Sequence, residues 1–169
     1  MFSVPNDLER VAAEIDGWLD LRCPQRALER LQPLLDRPDA RAIGLSFRIR
    51  ALVALKKHAE ALQDVSELRE MNADPAWLDL TEAWCLKRQD DLPGAIRCMQ
   101  QLIARDRRSA IGHFNLACYL ALSGELEQAL DQVTIACGID EKFRDLLMDE
   151  VDLRDLHRDP RFLQLQKRP

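Results

Sequence analysis

Apolar residues recur along this chain with a fixed period of 34 positions. The clearest marker is an alanine, which stands at Ala27, Ala61, Ala95 and Ala129. Around each alanine, apolar side chains recur nine and twelve residues earlier and, mostly, four and seven residues later. Self-similarity at a fixed period of this length is typical of proteins built from stacked repeats.

The spacing within one repeat predicts two helices. The apolar positions twelve and nine residues before the alanine are three apart, so they share one helix face. The alanine and the apolar positions after it form a second such face. A polar turn separates the two sets, as at Lys56-Lys57 and at Ser123-Gly124. Each repeat is therefore predicted to be a helix hairpin, which must stack on its neighbours to bury both faces.

The fourth repeat resembles the tetratricopeptide repeat family. The similarity rests on Asn115-Leu116-Ala117, Leu120, Gly124, Ala129 and Ala136. It implies an all-α fold, a right-handed superhelical stack of helix hairpins with a C-terminal capping helix. In the family frame, residues 1–7 are a lead-in, the four units are 8–41, 42–75, 76–109 and 110–143, and residues 144–169 are the cap. The second and third units depart from the pattern, because Lys56 and Asp90 occupy the position of the turn glycine.

Prolines and acidic residues predict where individual helices begin and break. Pro33 falls inside the second helix of the first unit and should kink or shorten it. A capping residue followed by a proline suited to the first helical position occurs at Asp74-Pro75 and at Asp159-Pro160. The second of these pairs predicts a last helix near 160–167. Asn6 or Asp7 is expected to cap the first helix.

Composition and charge exclude several classes of function. The net charge of −5 and pI of 5.3 argue against binding to nucleic acid, which favours a basic face. The sequence predicts no signal peptide, no membrane-spanning segment and no membrane insertion. Five cysteines without a CxxC motif predict reduced thiols and a cytoplasmic protein. The C-terminal segment resembles those that follow the last repeat in many bacterial members of the family, which favours a bacterial origin.

The family resemblance implies a binding site on the concave face, formed by the first helix of each unit. The candidate protein-binding groove comprises Arg50, Trp77, Leu80, Trp84, Lys87, Arg88, Ile111, Phe114, Asn115 and Cys118. Trp77 and Trp84 are seven residues apart and so project to the same side of one helix. A groove holding two indoles beside basic side chains suits a peptide with apolar anchors and some acidic character. The alternative is that both tryptophans only pack against the preceding unit.

Enzyme chemistry finds no support in the sequence. His58, His113 and His157 lie in different parts of the chain, and none has a partner at metal-ligand spacing on a shared face. No phosphate loop or dinucleotide motif is present, so no catalytic residue, cofactor or metal is predicted. The matching groove positions also do not reproduce the set of lysine, asparagine and arginine residues with which some family members clamp the C-terminal carboxylate of heat-shock chaperones.

We therefore predict a non-catalytic adaptor or scaffold that binds a peptide or helix of a partner protein of unknown identity. Two alternatives remain open: a secretion-type chaperone that holds an apolar client, and a scaffold that self-associates as a weak homo-oligomer. The sequence also leaves open whether the chain's own tail occupies the groove, with Phe162 and Leu165 as a pseudo-ligand.

Overall fold

The structure of the chain is a computed structural model that describes residues 4–167. The predicted lead-in therefore falls partly outside the described residues. Within residues 4–167 the regular elements are all helical. Contacts group the chain into two compact units, residues 1–89 and 90–169, which we describe separately.

From residue 4 onward, the first compact unit consists of six α-helices. They are α1 (Glu9–Asp20), α2 (Pro24–Glu29), α3 (Gln32–Leu35), α4 (Arg41–Ala54), α5 (His58–Glu70) and α6 (Pro75–Lys87), with a 3₁₀ turn at Asn6–Leu8 before them. Helix α4 packs on α5, and α5 packs on α6. Leu45, Ile49, Val65, Leu68 and Leu78 fill the space between these three helices.

Pro33 divides the second helix of the first repeat, as predicted. Helix α2 ends at Glu29 and the short helix α3 begins at Gln32. Proline has no N–H to donate and its ring clashes with the carbonyl four residues earlier, so the helix cannot continue unbroken through this site. Leu31 and Leu34 are nevertheless fully buried on either side of the break, so the apolar face is preserved.

The second compact unit contains α7 (Leu92–Arg105), α8 (Ala110–Leu122), α9 (Leu126–Ile139), α10 (Phe143–Leu146) and α11 (Pro160–Leu165). A 3₁₀ segment, Val151–Leu156, connects the last two helices. Helix α8 packs on both α7 and α9. In the region after the last repeat, Leu147, Leu153 and Phe162 are fully buried.

Side chains cap the helices mostly where the sequence predicts. Asp74 accepts a hydrogen bond from Ala76 N at 2.9 Å, and Asp159 accepts one from Arg161 N at 2.8 Å. The expected cap at Asn6 or Asp7 is wrong. The chain makes a 3₁₀ turn there, and Leu8, which offers no capping side chain, directly precedes α1.

The turn between the paired helices has the same conformation in every repeat. Arg22, Lys56, Asp90 and Gly124 all have positive φ, at 56°, 60°, 61° and 85°, and they stand 34 residues apart. Only the fourth is the glycine that this left-handed conformation favours. The other three show that the repeat geometry outweighs the local preference of an L-residue.

Candidate functional site

A cleft of about 720 Å³ opens in the first compact unit. It lies between the beginning of α4, the end of α5 and the beginning of α6. Ile43, Ser46, Leu68, Asn72 and Trp77 contribute to its walls. Apolar side chains dominate this lining, and the serine and asparagine add hydrogen-bonding groups.

Local sequence explains how the chain forms this cleft. Helix α5 ends in a tight reversal at Asn72, where φ is +55°, and Ala73 N donates to Leu68 O at 3.2 Å. Asp74 then caps α6 and Pro75 starts it. Because the connection is so short, Trp77 in the first turn of α6 is held beside α4.

Trp77 both packs against the core and faces the cleft. It is half-buried and packs against the core between α4, α5 and α6. The same side chain also lines the cleft. Ile43, exactly one period before it, lines the cleft from the neighbouring helix, so the repeat relationship is a sequence signal that identifies this pair.

Trp84 lies against different side chains from those around Trp77. It packs on Leu52 and Ala61, and its ring meets the His58 ring edge-on, with 5.1 Å between centroids and an interplanar angle of 79°. The Arg88 guanidinium lies 5.0 Å from the Trp84 ring centroid, a cation–π arrangement. The two tryptophans thus have separate surroundings within this unit.

The other predicted groove residues of the first compact unit differ in their exposure to solvent and in their ion pairing. Leu80 and Lys87 are half-buried, and Arg88 is exposed. Arg50 is exposed but ion-paired, with 2.5 Å between its Nη1 and Asp16 Oδ1 and 3.5 Å between its Nη2 and Asp20 Oδ1. Its charge is therefore already compensated within the chain, which weakens its predicted attraction for an acidic partner.

The chain's own C-terminal region covers part of the predicted groove face of α8. Phe114 and Cys118 are only 4% and 3% exposed. The Phe143 ring lies against Phe114, with 4.8 Å between centroids. The segment Val151–Leu156 also packs on α8.

Ile111 and Asn115 remain more accessible, the first 41% exposed and the second half-buried. A partner could thus reach Phe114 or Cys118 only if residues 143–156 moved.

The last helix, α11, packs on α9. Phe162 is fully buried and stacks on His157, with 5.6 Å between ring centroids. Arg161 makes a bidentate ion pair with Glu127 of α9, at 2.8 and 2.9 Å. Helix α11 therefore packs on α9, whereas residues 143–156 contact both α8 and α9.

His113 and Cys85 are held in surroundings that fit a structural role. His113 is buried, and its Nδ1 and Nε2 lie 2.7 Å from Gln132 Oε1 and 3.2 Å from Arg107 O. Burial raises the pKa of Cys85 to about 11, far from that of a reactive thiolate.

Cys118 Sγ and one carboxylate oxygen each of Glu150 and Asp152 lie within 4.8 Å of one another. Glu150 already accepts a hydrogen bond from Asp152 N at 3.1 Å.

No helix within residues 4–167 combines the length and apolar character needed to cross a membrane.

Sequence comparison finds no matching family model and no matching curated protein, whereas comparison of structures finds clear likenesses. The MamA RS-1 ArsTM double mutant has a TM-score of 0.73 at 12% identity, over 97% of each chain. MamA has a TM-score of 0.71 at 13% identity, over 90% of each chain. YrrB, described as a TPR protein with an unusual peptide-binding site, has a TM-score of 0.67 at 16% identity, over 94% of this chain and 82% of its own. The predicted all-α class is confirmed, and the chain has the fold of the tetratricopeptide repeat proteins.

Proposed function

We propose that this chain is a non-catalytic protein-interaction module that binds an apolar segment of a partner protein in the cleft beside Trp77. The proposal rests on the cleft, because its lining combines an aromatic wall at Trp77 with an aliphatic one at Ile43. Ser46 and Asn72 also line it and can form hydrogen bonds with the partner's backbone. Interaction sites of this kind owe most of their affinity to a few buried anchors. The fold likeness to YrrB, itself described by its peptide-binding site, supports a peptide-like ligand.

The number of anchors follows from the energies involved. One fully buried aliphatic or aromatic side chain contributes roughly 1.5–3 kcal/mol, and micromolar affinity requires about 8 kcal/mol. The partner must therefore bury about three or more apolar side chains. Leu80 and Trp84 lie farther along the same helix as Trp77, and we propose them as further contact residues.

The test uses two serines that each donate to a carbonyl in the preceding turn of their own helix. Ser46 lines the cleft and its Oγ donates to Ile43 O at 2.8 Å. Ser66 is exposed on α5, outside the cleft lining, and its Oγ donates to Leu62 O at 3.1 Å. Ser46→Arg should place a long charged side chain in the cleft, whereas Ser66→Arg should add the same side chain elsewhere. Neither substitution removes a buried apolar group.

Proteins captured from a lysate of the source cell by the wild type and by both variants should be compared by quantitative mass spectrometry. We expect one protein to be retained by the wild type and by Ser66→Arg, and lost by Ser46→Arg with unchanged helical circular dichroism. A peptide from that protein should then bind the purified wild-type chain directly. Equal recovery by all three chains would refute binding in the cleft.

The alternatives predict other results. Light scattering would reveal a self-associating scaffold as a particle mass well above 19.4 kDa. A secretion-type chaperone would co-purify with one unstable, apolar client.

A further inference from the structure

A second pocket in the first compact unit is basic, although the chain as a whole is acidic. Its volume is about 420 Å³, and Lys56, Lys57, His58, Glu60 and Arg88 contribute to its lining. It lies where α5 begins and α6 ends, and it shares no lining residue with the cleft beside Trp77.

The charges of this pocket are only partly neutralised. Lys57 pairs with Glu60 at 2.9 Å. Within residues 4–167, by contrast, neither Lys56 nor Arg88 has a carboxylate within ion-pair distance. The pocket is thus a local excess of positive charge.

The fold fixes the backbone at Lys56 and the guanidinium of Arg88. Lys56 is the left-handed residue of the turn between α4 and α5, and the next amide, Lys57 N, donates to Leu52 O at 2.9 Å. The Arg88 guanidinium lies 5.0 Å from the Trp84 ring centroid, and the His58 ring supports that indole from the side. A charge fixed before a ligand arrives loses less conformational freedom on binding.

His58, which also lines the pocket, carries a polar atom that lacks a partner in residues 4–167. Its Nδ1 is buried and has no hydrogen-bond partner within the described part of the chain. Buried polar atoms are nearly always satisfied, so an exception calls for an ordered water or ion. Burial, and then the nearby Arg88 and Lys56, lower the pKa of His58. No side chain caps α5 here, so its first N–H groups are also free to meet an anion.

We infer that this pocket binds a phosphate group, carried either by inorganic phosphate or by a phosphorylated side chain of a partner protein. A dianion matches the two uncompensated cations, Lys56 and Arg88. Its oxygens can accept from the guanidinium, the ammonium and the first amides of α5 at the same time. A carboxylate carries only one charge and matches this arrangement less well.

The experiment follows the amide signals of residues 58–60 and the Trp84 indole N–H by NMR during titration of the full chain. Inorganic phosphate, blocked phosphoserine and acetate are the ligands, with ionic strength held constant by sodium chloride. Wild type is compared with Lys56→Gln/Arg88→Gln. The matched control is Arg108→Gln/Lys142→Gln, which removes the same charges from exposed positions elsewhere.

We expect saturable shifts with phosphate or phosphoserine in the wild type and the control, and at least tenfold weaker binding in Lys56→Gln/Arg88→Gln. The pKa of His58 should rise when the anion is bound, because the anion stabilises the imidazolium. Tighter binding of phosphoserine would assign the pocket to a phosphorylated partner, and tighter binding of phosphate to the free anion. Shifts that do not saturate, that are equal with acetate, or that persist in Lys56→Gln/Arg88→Gln would overturn the inference.

Discussion

Replacement of Lys56 by glycine should stabilise the protein, although glycine usually does the opposite. Lys56 has φ of 60° in the turn between α4 and α5. Its N–H donates to Val53 O at 3.0 Å, and Lys57 N donates to Leu52 O at 2.9 Å. These two bonds close the end of α4 in the Schellman arrangement, in which the left-handed residue is normally glycine.

The expected size follows from two opposing terms. A left-handed conformation costs an L-residue roughly 1–2 kcal/mol. Glycine avoids that cost but loses more conformational freedom on folding, which offsets about 0.5–1 kcal/mol of the gain. The Lys56 side chain is exposed and makes no ion pair within residues 4–167, so its removal should cost little. We therefore expect Lys56→Gly to raise the free energy of unfolding by about 0.5–1 kcal/mol.

The assay is guanidinium unfolding followed by tryptophan fluorescence. All three tryptophans lie in residues 1–89, so their emission reports on the compact unit that contains Lys56. The unfolding midpoint should rise without a change in slope. Lys57→Gly is the matched control, because Lys57 has φ of −88° and gains no relief of strain. The reasoning is refuted if both variants lose stability alike.

Two further predictions concern side chains that the sequence did not single out. Arg69→Ala should destabilise the first compact unit by about 2–3 kcal/mol, because Arg69 Nη2 lies 3.1 Å from Oδ1 of the fully buried Asp79. The control, Arg30→Ala, breaks an exposed ion pair with Glu14 and should cost under about 1 kcal/mol. Equal losses of stability in denaturant unfolding would contradict the argument. Iodoacetamide at pH 8 should label the half-buried Cys23 first and Cys85 last or not at all, because burial raises the pKa of Cys85 to about 11 and leaves almost no thiolate. Peptide mass spectrometry measures the order of labelling. Early labelling of Cys85 in the folded chain would show that the core around Cys85 opens.

Features set by local interactions could be predicted from the sequence. The 34-residue period predicts the helix pairs, because each apolar face must meet a partner wherever it occurs. The break at Pro33 follows from the missing N–H of proline, and the helix starts after Asp74 and Asp159 follow from capping within two residues. Each of these depends only on neighbours along the chain.

The candidate site depends more on side chains that are distant in sequence. Spacing placed Phe114 and Cys118 on a stripe suited to a groove, but it could not reveal that Phe143 and the segment after it pack there. It likewise gave no sign that Lys56 and Arg88 line one pocket with His58. The pairing of Arg50 with Asp16 had a signal in the sequence, since the two residues are one period apart.

The sequence by itself determined the fold class, a series of helix hairpins in which individual helices start and break at defined residues, because periodicity and capping are encoded within a few turns of helix. The tertiary structure alone decided which faces remain open. It buries Phe114 and Cys118 of α8 beneath the chain's own C-terminal segment and leaves the cleft beside Trp77 accessible. The physical reason is that exposure depends on which distant segment packs on a face, and the pattern of neighbouring residues along the chain does not determine that.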